Sequence, residues 1–344
     1  MVKILKVDPL RPRLEDIAEA ASVVKSGGLV AFPTETVYGL GADAFNGEAT
    51  AKIFKAKGRP ADNPLIVHVS SLDQALEVGE FPEEVATIAK RVWPGPITFV
   101  VKKRATLPAS VTAGLPTVAL RCPAHPVALK LIELAGTPIA APSANKAGRP
   151  SPTEARHVVE DLGDSVDVVL DAGRTFFGVE STIIDATKRP PVLLRPGPFS
   201  VEELKSIFGD VVVPDFARGL READAALAPG MKYRHYAPNT PLVLAEFDLA
   251  DAVKIAKNKG LKVAVLCMAG RCAEGDVVFE LGSDLYEVAK NLYDSLRRVD
   301  KAGVDVAIAP TVEERGIGLA IMNRLRKASG FKIARSPEDM AKLI

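Results

Sequence analysis

The sequence predicts an α/β protein of two domains joined by a connector, and three observations carry that prediction. At 344 residues the chain is longer than one ordinary domain. Short β-branched apolar runs alternate with stretches of helical periodicity along most of its length. Residues 211–240 interrupt that alternation with proline and glycine and no clear period. The expected boundaries are therefore 1–210 for a first domain, 211–240 for the connector and 241–344 for a smaller second domain.

Composition narrows the classes. Apolar residues make up 47% and charged residues 25%, the balance of a globular chain with a sizeable core. Lysine and arginine number 44 against 43 acidic residues, so any anion site must be a local patch. No apolar run reaches the ~18 residues of a membrane span, and Met1–Lys6 lacks the apolar core of a signal peptide, which makes cytoplasm the expected compartment. Cys122, Cys267 and Cys272 form neither a C-x-x-C pair nor a disulfide framework, and four histidines with scattered cysteines argue against a structural zinc site.

Taken in order, Leu14, Ile17, Ala18, Ala21 and Val24 recur at helical spacing up to Gly27-Gly28, an amphipathic helix feeding the first strand. Gly27–Phe32 reads as that strand, buried and stopped by Pro33, so Thr34, Glu35, Thr36 and Tyr38 stand just past its end. Gly39-Leu40-Gly41 is expected to bend tightly or to lie against a ligand. Ala49–Lys57 has helical spacing with Gly58 at the stop position, which puts Lys55 and Lys57 in the last turn. Both complement the helix dipole, yet with Arg59 on the rigid chain that follows, three cations in five residues exceed what one dipole needs. Leu65–Val69 alternates as a strand with Ile66 and His68 on one face, and His68 is either a satisfied structural residue or a ligand.

A helix after Phe81-Pro82 runs to Val92 and ends at Trp93–Pro96; Ile97–Val101 follows as a β-branched strand, and residues 105–116 as a surface loop. Thr117–Cys122 alternates with Thr117, Ala119 and Arg121 on one face, and Arg121 there needs either a carboxylate or an anionic ligand. Ile139-Ala140-Ala141 is a buried strand from which Ser143, Asn145, Lys146 and Arg149 emerge into a Gly/Pro loop. Ser151-Pro152-Thr153-Glu154 matches a capping box with proline at the first helical position, and such a helix start is also an anion site. Ser181–Asp185 and Pro191–Arg195 read as a hairpin. The connector carries Ala228–Pro238, too aromatic and basic for a free linker, so it is expected to pack on a surface. Beyond it, strands at 242–245, 263–266 and 306–309 alternate with helices at 248–258, 284–302 and 318–328, the pattern of a small parallel α/β domain.

No P-loop, zincin, nucleophile-elbow or EF-hand pattern occurs, and Gly316-Ile317-Gly318 lacks the third glycine of a dinucleotide fingerprint. What remains is a first domain whose strand ends present Lys57, Arg59, Arg121, Lys146, Arg149 and Arg195 among hydroxyls. Such groups hold a polyphosphate or a nucleic-acid backbone and neutralise transition-state charge without a covalent intermediate. An RNA-binding module using the same basic concavity is the alternative, and the neutral net charge counts against it.

The segments FPTETVYGLG, KAKGRPADNPLIVHV, TVALRCPAHP, APSANKAGRPSPT, GVESTIID and LLRPG, in that order, closely resemble the YrdC-like threonylcarbamoyl-AMP synthases. KYRHYAP and GIGLAIMNRLRKASG resemble the long, two-domain form of that family. The resemblance implies a YrdC-like twisted mixed open sheet with helices, followed by a Rossmann-like C-terminal domain. It implies that L-threonine, bicarbonate or carbon dioxide, and ATP, with Mg²⁺ on the phosphates, give threonylcarbamoyl-adenylate and pyrophosphate. That is the first step of a modification of the adenosine next to the tRNA anticodon. A downstream threonylcarbamoyl transferase, TsaD-like or in a KEOPS complex, would act on the tRNA; no membrane and no stable nucleic-acid binding are required.

Carried over by motif, Lys57, Arg59, Asn63, Ser143, Ser151 and Arg195 would hold the nucleotide phosphates, with Thr117 and Ala141 lining the adenylate pocket. Thr36, His68, Arg121 and Ser181 would hold threonine, Arg121 pairing its carboxylate, and Tyr236 would belong to a lid formed by the connector. The threonine amine would attack carbon dioxide, and the resulting carboxylate the α-phosphate, so no protein nucleophile is expected, and no carboxylate motif identifies a protein ligand for Mg²⁺.

Overall fold

The computed structural model describes residues 2–104, 106–231 and 235–344. Lys232, Tyr233 and Arg234 of the connector motif lie outside the described residues. Among the described residues, the first sheet holds β1 (Lys3–Lys6), β2 (Val30–Phe32), β3 (Gly39–Asp43), β4 (Ile66–His68), β5 (Gly79–Glu80), β6 (Ile97–Lys103), β7 (Thr117–Arg121), β8 (Ile139–Ala141), β9 (Val168–Asp171), β10 (Thr182–Asp185) and β11 (Val192–Arg195). Their order is β1-β9-β2-β3-β8-β4-β7-β6-β10-β11, with β5 on β6. The sheet is mixed, as expected: β4 runs parallel to β7 but antiparallel to β8, and β10–β11 is the antiparallel hairpin.

Two local expectations are corrected. The bend read at Gly39-Leu40-Gly41 is instead the start of β3, antiparallel to both β2 and β8, and Gly39 lines the cavity on that side of the sheet. Its glycines serve close packing: a Cβ on Gly41 would lie 2.6 Å from Ile139 Cγ2 and 2.7 Å from Phe32 Cε1. The segment 105–116 is likewise not all surface. It holds the short helix Ala109–Thr112 and buries Leu107 and Val111, because the amide of Leu65 donates to the Val111 carbonyl and pulls the loop onto the sheet.

One face of the central strands carries Ile66, His68, Ala119, Arg121 and Ala141, set side by side by the pairings His68–Arg121, Ile66–Ala119 and Ile66–Ala141. The connector covers this face. Ala223, Ala228 and Met231 pack on Ile66, Val100, Ala119, Ile183 and Leu194, which is the surface that its apolar and aromatic residues called for. The opposite face, with Val67, Val69 and Leu120, enters the main core.

The second sheet, β14-β13-β15-β12-β16, is parallel throughout: β12 (Leu242–Ala245), β13 (Val263–Cys267), β14 (Val277–Glu280), β15 (Val306–Pro310) and β16 (Ile333–Ala334). Helix Leu285–Val299 and helix Gly318–Ala328 lie between it and the first domain, and every residue of Gly318–Ala328 is buried because both sides of the helix are covered. Leu319 joins the first domain's core, while Ile321, Met322 and Leu325 join the second's. The cysteines are a further correction: Cys267 and Cys272 are disulfide-bonded, since the turn after β13, closed by the Arg271 amide on the Met268 carbonyl, returns the chain to the strand end. Among the described residues no helix is long and apolar enough to cross a membrane.

Candidate active site

A cavity opens on the face where β4, β7 and β8 meet the connector. Thr36, Arg59, His68, Arg121, Ala141, Ser143, Ser151, Arg195 and Tyr236 line it, as do Asn145, Glu180, Gly230 and His235. Its free space is about 60 Å³, room for on the order of five water molecules. A second cavity of about 240 Å³ adjoins it, sharing Arg59, Ser143, Asn145 and His235 and adding Lys57 and Asn63. Residues scattered over most of the first domain and the connector are therefore brought together.

At one end stands Arg121, at the close of β7. Its Nη2 lies 2.7 Å from Glu35 Oε2, both side chains almost fully buried. Nη2 is thus taken up by the ion pair, while Nε of Arg121 is a buried donor with no partner among the described residues. The carboxylate reading of Arg121 is met by Glu35, which balances its charge. His68, opposite it on β4, is buried with Nδ1 unpartnered, and burial together with the Arg121 charge pushes its pKa down to about 3. His125 is lowered by burial to about 4. Both imidazoles are neutral in the fold and titrate near 6.5 once unfolded, so the unfolded chain binds more protons below that pH and stability falls as pH drops. Urea midpoints measured from pH 7 to about pH 5, above most carboxylate titrations, should fall for the parent. The slope should flatten in a His68→Gln/His125→Gln variant; parallel slopes would disprove the burial argument.

At the other end the cations are tied to backbone. Lys57, in the last turn before the left-handed Gly58 cap, donates to the carbonyls of Asn145 and, at 2.6 Å, Ser143. Burial, with Arg59 beside it, lowers its pKa well below the ordinary lysine range. Arg59 donates to the carbonyls of Asn63 at 3.3 Å and Pro64 at 3.0 Å. Arg195, ending β11, donates from Nε to the Ser181 carbonyl at 3.1 Å, from Nη2 to Ser181 Oγ at 3.1 Å and from Nη1 to the Pro229 carbonyl at 3.3 Å.

Two expected site residues do not line either cavity. Ser181 is buried behind Arg195, its hydroxyl also 2.8 Å from Thr98 Oγ1. Thr117 shares the face of Arg121 but begins β7, four residues earlier and about 13 Å away at strand rise, where it pairs with Lys102. Of the cations proposed from spacing, Lys146 is exposed, while Arg149 lines the cavity and pairs with Asp161 at 3.1 Å.

The expected capping box is also corrected. The helix begins only at Ala155, with Glu154 as its N-cap and no side-chain cap bond. Residues 151–153 are instead tied to other loops ahead of the helix, the Tyr38 amide bonding the Pro152 carbonyl and the Thr175 amide the Thr153 carbonyl. Ser151 Oγ is thereby freed to donate to Glu180 Oε1 at 2.5 Å. Glu180 is the site residue that spacing arguments passed over; a carboxylate beside the apolar Val179 and just before a strand was its only signal. Burial opposes its ionisation, but Arg324 and Arg195 hold it at about 2.

For a metal, the cluster of Glu154, His157 and Asp294 is already served by a cation: Arg156 donates to both carboxylates, and His157 Nε2 lies 3.1 Å from Asp294. The donors that fit Mg²⁺ are in the main site. Asn145 Nδ2 donates to the carbonyls of Lys146 and Arg149, which fixes the amide and leaves Oδ1 buried without a partner; Asn63 Oδ1 is buried and unpartnered too.

Two family models match the chain, one described as telomere recombination (Sua5_yciO_yrdC) over residues 22–197 and one as threonylcarbamoyl-AMP synthase, C-terminal domain, over residues 199–330. The chain is 50% identical over 337 residues to the threonylcarbamoyl-AMP synthase of Pyrococcus abyssi (strain GE5 / Orsay), covering 95% of this chain and 98% of the relative. It is 44% identical over 338 residues to that of Bacillus subtilis (strain 168), covering 95% and 97%. The crystal structure of P. abyssi Sua5 complexed with L-threonine is similar at a TM-score of 0.92 and 49% identity, covering 97% of this chain and 99% of that one. With both domains matched and the relatives aligned nearly end to end, the chain belongs to the two-domain threonylcarbamoyl-AMP synthase family.

Proposed function

We infer that the chain makes L-threonylcarbamoyl-AMP and pyrophosphate from L-threonine, bicarbonate or carbon dioxide, and ATP, in the cavity under the connector. The observation that carries the reading is the polarity of that cavity: a buried arginine whose Nε has no partner among the described residues at one end, and Lys57, Arg59 and Arg195 at the other. An amino acid carboxylate suits the first end and a triphosphate the second. Arg121 would take the threonine carboxylate, with Thr36 and neutral His68 beside it. Arg59 and Arg195 would balance the charge that builds on the departing pyrophosphate, and Ser143 and Ser151 would orient the phosphates.

The residues need only position and neutralise. The threonine nitrogen bonds to the carbon of carbon dioxide, losing a proton; an oxygen of the new carboxylate then bonds to the α-phosphorus as the bond to pyrophosphate breaks. Mg²⁺, when bound, would lower the charge on the triphosphate, held chiefly by phosphate oxygens and water with Asn63 Oδ1 and Asn145 Oδ1 as the protein's donors. A cytoplasmic location and a downstream threonylcarbamoyl transferase acting on tRNA, TsaD-like or in a KEOPS complex, go with this reading. Pyrophosphate release by the full chain, with bicarbonate and ATP, should depend on L-threonine and much less on L-serine. Release indifferent to the amino acid would overturn it.

Tyr236 and His235 line the cavity, so in this reading the connector would act as its gate and would move to admit ATP and threonine. Tyr236→Ala is expected to slow synthesis about 10- to 100-fold in a protein whose two domains stay folded. Parent-like turnover by a well-folded variant would remove Tyr236 from the gate.

A further inference from the structure

Two side chains of the second domain reach the wall of the cavity. Arg324, on helix Gly318–Ala328, is fully buried; its Nε donates to Glu180 Oε2 at 3.0 Å and its Nη1 to the Pro196 carbonyl at 2.6 Å. The same guanidinium sits 5.5 Å from the centroid of the Tyr236 ring. Tyr293, on helix Leu285–Val299, donates its hydroxyl to Glu180 at 2.9 Å and stacks on Tyr236 with centroids 5.4 Å apart. Glu180 and Tyr236 both line the cavity, and Glu180 accepts the Ser151 hydroxyl. One carboxylate and one ring of the site are thus each held by the same two residues.

Each held group needs its support. An ionised carboxylate as buried as Glu180 is expensive unless paired, and without its partners it would draw a proton or turn away, taking Ser151 with it. Tyr236 has φ of +65°, a left-handed conformation that a non-glycine residue keeps only when surrounding contacts enforce it. The stack on Tyr293 and the Arg324 cation supply those contacts.

We propose that Arg324 and Tyr293 are positioning residues for synthesis: they fix Glu180 and Tyr236 so that Ser151 and the connector close on the nucleotide, which makes the second domain a working part of the active site. The proposal rests on the synthase reading. Threonine-dependent pyrophosphate release by the full chain, with separate kcat and KM values, tests it in Tyr293→Phe, which keeps the ring stack and removes only the hydroxyl, and in Arg324→Met and Arg324→Lys. In Tyr293→Phe and Arg324→Met, kcat should fall about tenfold and the KM for ATP rise about threefold or more. Threonine affinity, measured by calorimetry without ATP, should stay within about twofold, because Thr36, His68 and Arg121 stand outside this network. Arg324→Lys keeps the charge and should recover part of the loss. Parent-like kcat and KM for ATP per folded molecule would overturn the proposal, as would an equal loss of threonine affinity, which marks a merely structural role. Should Arg324→Met fail to fold, Tyr293→Phe decides alone. A parent chain that releases no pyrophosphate in response to threonine would instead overturn the synthase reading.

Discussion

Replacing Arg121 with methionine is expected to lower kcat/KM for threonine by about 100- to 1,000-fold, a loss of roughly 3–4 kcal/mol. The side chain carries a buried donor, Nε, that no described protein group satisfies, and a fold rarely leaves such a donor idle unless a ligand completes it. The substitution should also cost stability, for a separate reason. Glu35 would stay behind as a buried carboxylate without its cation, a change worth about 3–5 kcal/mol in comparable pairs. The double variant Glu35→Gln/Arg121→Met separates the effects: its melting temperature should recover most of the loss while its threonine affinity stays poor. Recovery of affinity along with stability would mean that Arg121 acts only through Glu35. Parent-like kcat/KM in the single variant would remove Arg121 from the substrate site altogether.

How far this site was legible in the sequence depends on the range of the forces that build it. The helix at 47–57, its stop at Gly58 and the strand carrying His68 are set by near neighbours, and the periodicity found them within a residue or two. That Arg121 must meet a carboxylate or an anion also followed from local pattern, because a charge on an apolar strand has few other solutions. Readings failed where a partner distant in sequence decided. Ser151 looked like a helix cap because nothing local announced the bonds from Tyr38 and Thr175 that tie its segment down ahead of the helix, and Gly39–Gly41 looked like a bend because nothing local announced Phe32 and Ile139 on either side. The pairing of Cys267 with Cys272 depends on a turn that spacing alone did not reveal. Tyr293 and Arg324 were the least accessible of all, since each reaches Glu180 across more than 100 residues of chain. The mixed character of the first sheet came from motif resemblance, because β3, β8 and β9 are too short for periodicity to orient them.

Replacing Arg195 with methionine should be the other large loss, about 30- to 1,000-fold in turnover, or roughly 2–4 kcal/mol of transition-state stabilisation. Arg59→Ala is expected to fall in the same range, since both guanidinium groups line the cavity at its nucleotide end. The two differ in what else they hold. Arg59 is anchored on the carbonyls of its own loop, Asn63 and Pro64. Arg195 spans from Ser181 to the Pro229 carbonyl and so ties the end of β11 to the connector. Limited proteolysis should therefore cut the connector faster in Arg195→Met than in the parent, and by more than in Arg59→Ala. Arg195→Lys would keep the charge but lose the forked contact with the Ser181 carbonyl and hydroxyl, so its turnover should fall between those of parent and methionine variant. Full activity in Arg195→Lys would mean that charge alone matters there. Parent-like turnover in Arg195→Met or Arg59→Ala would remove that cation from the phosphate site, and unchanged cleavage in Arg195→Met would detach the connector from the β11 end.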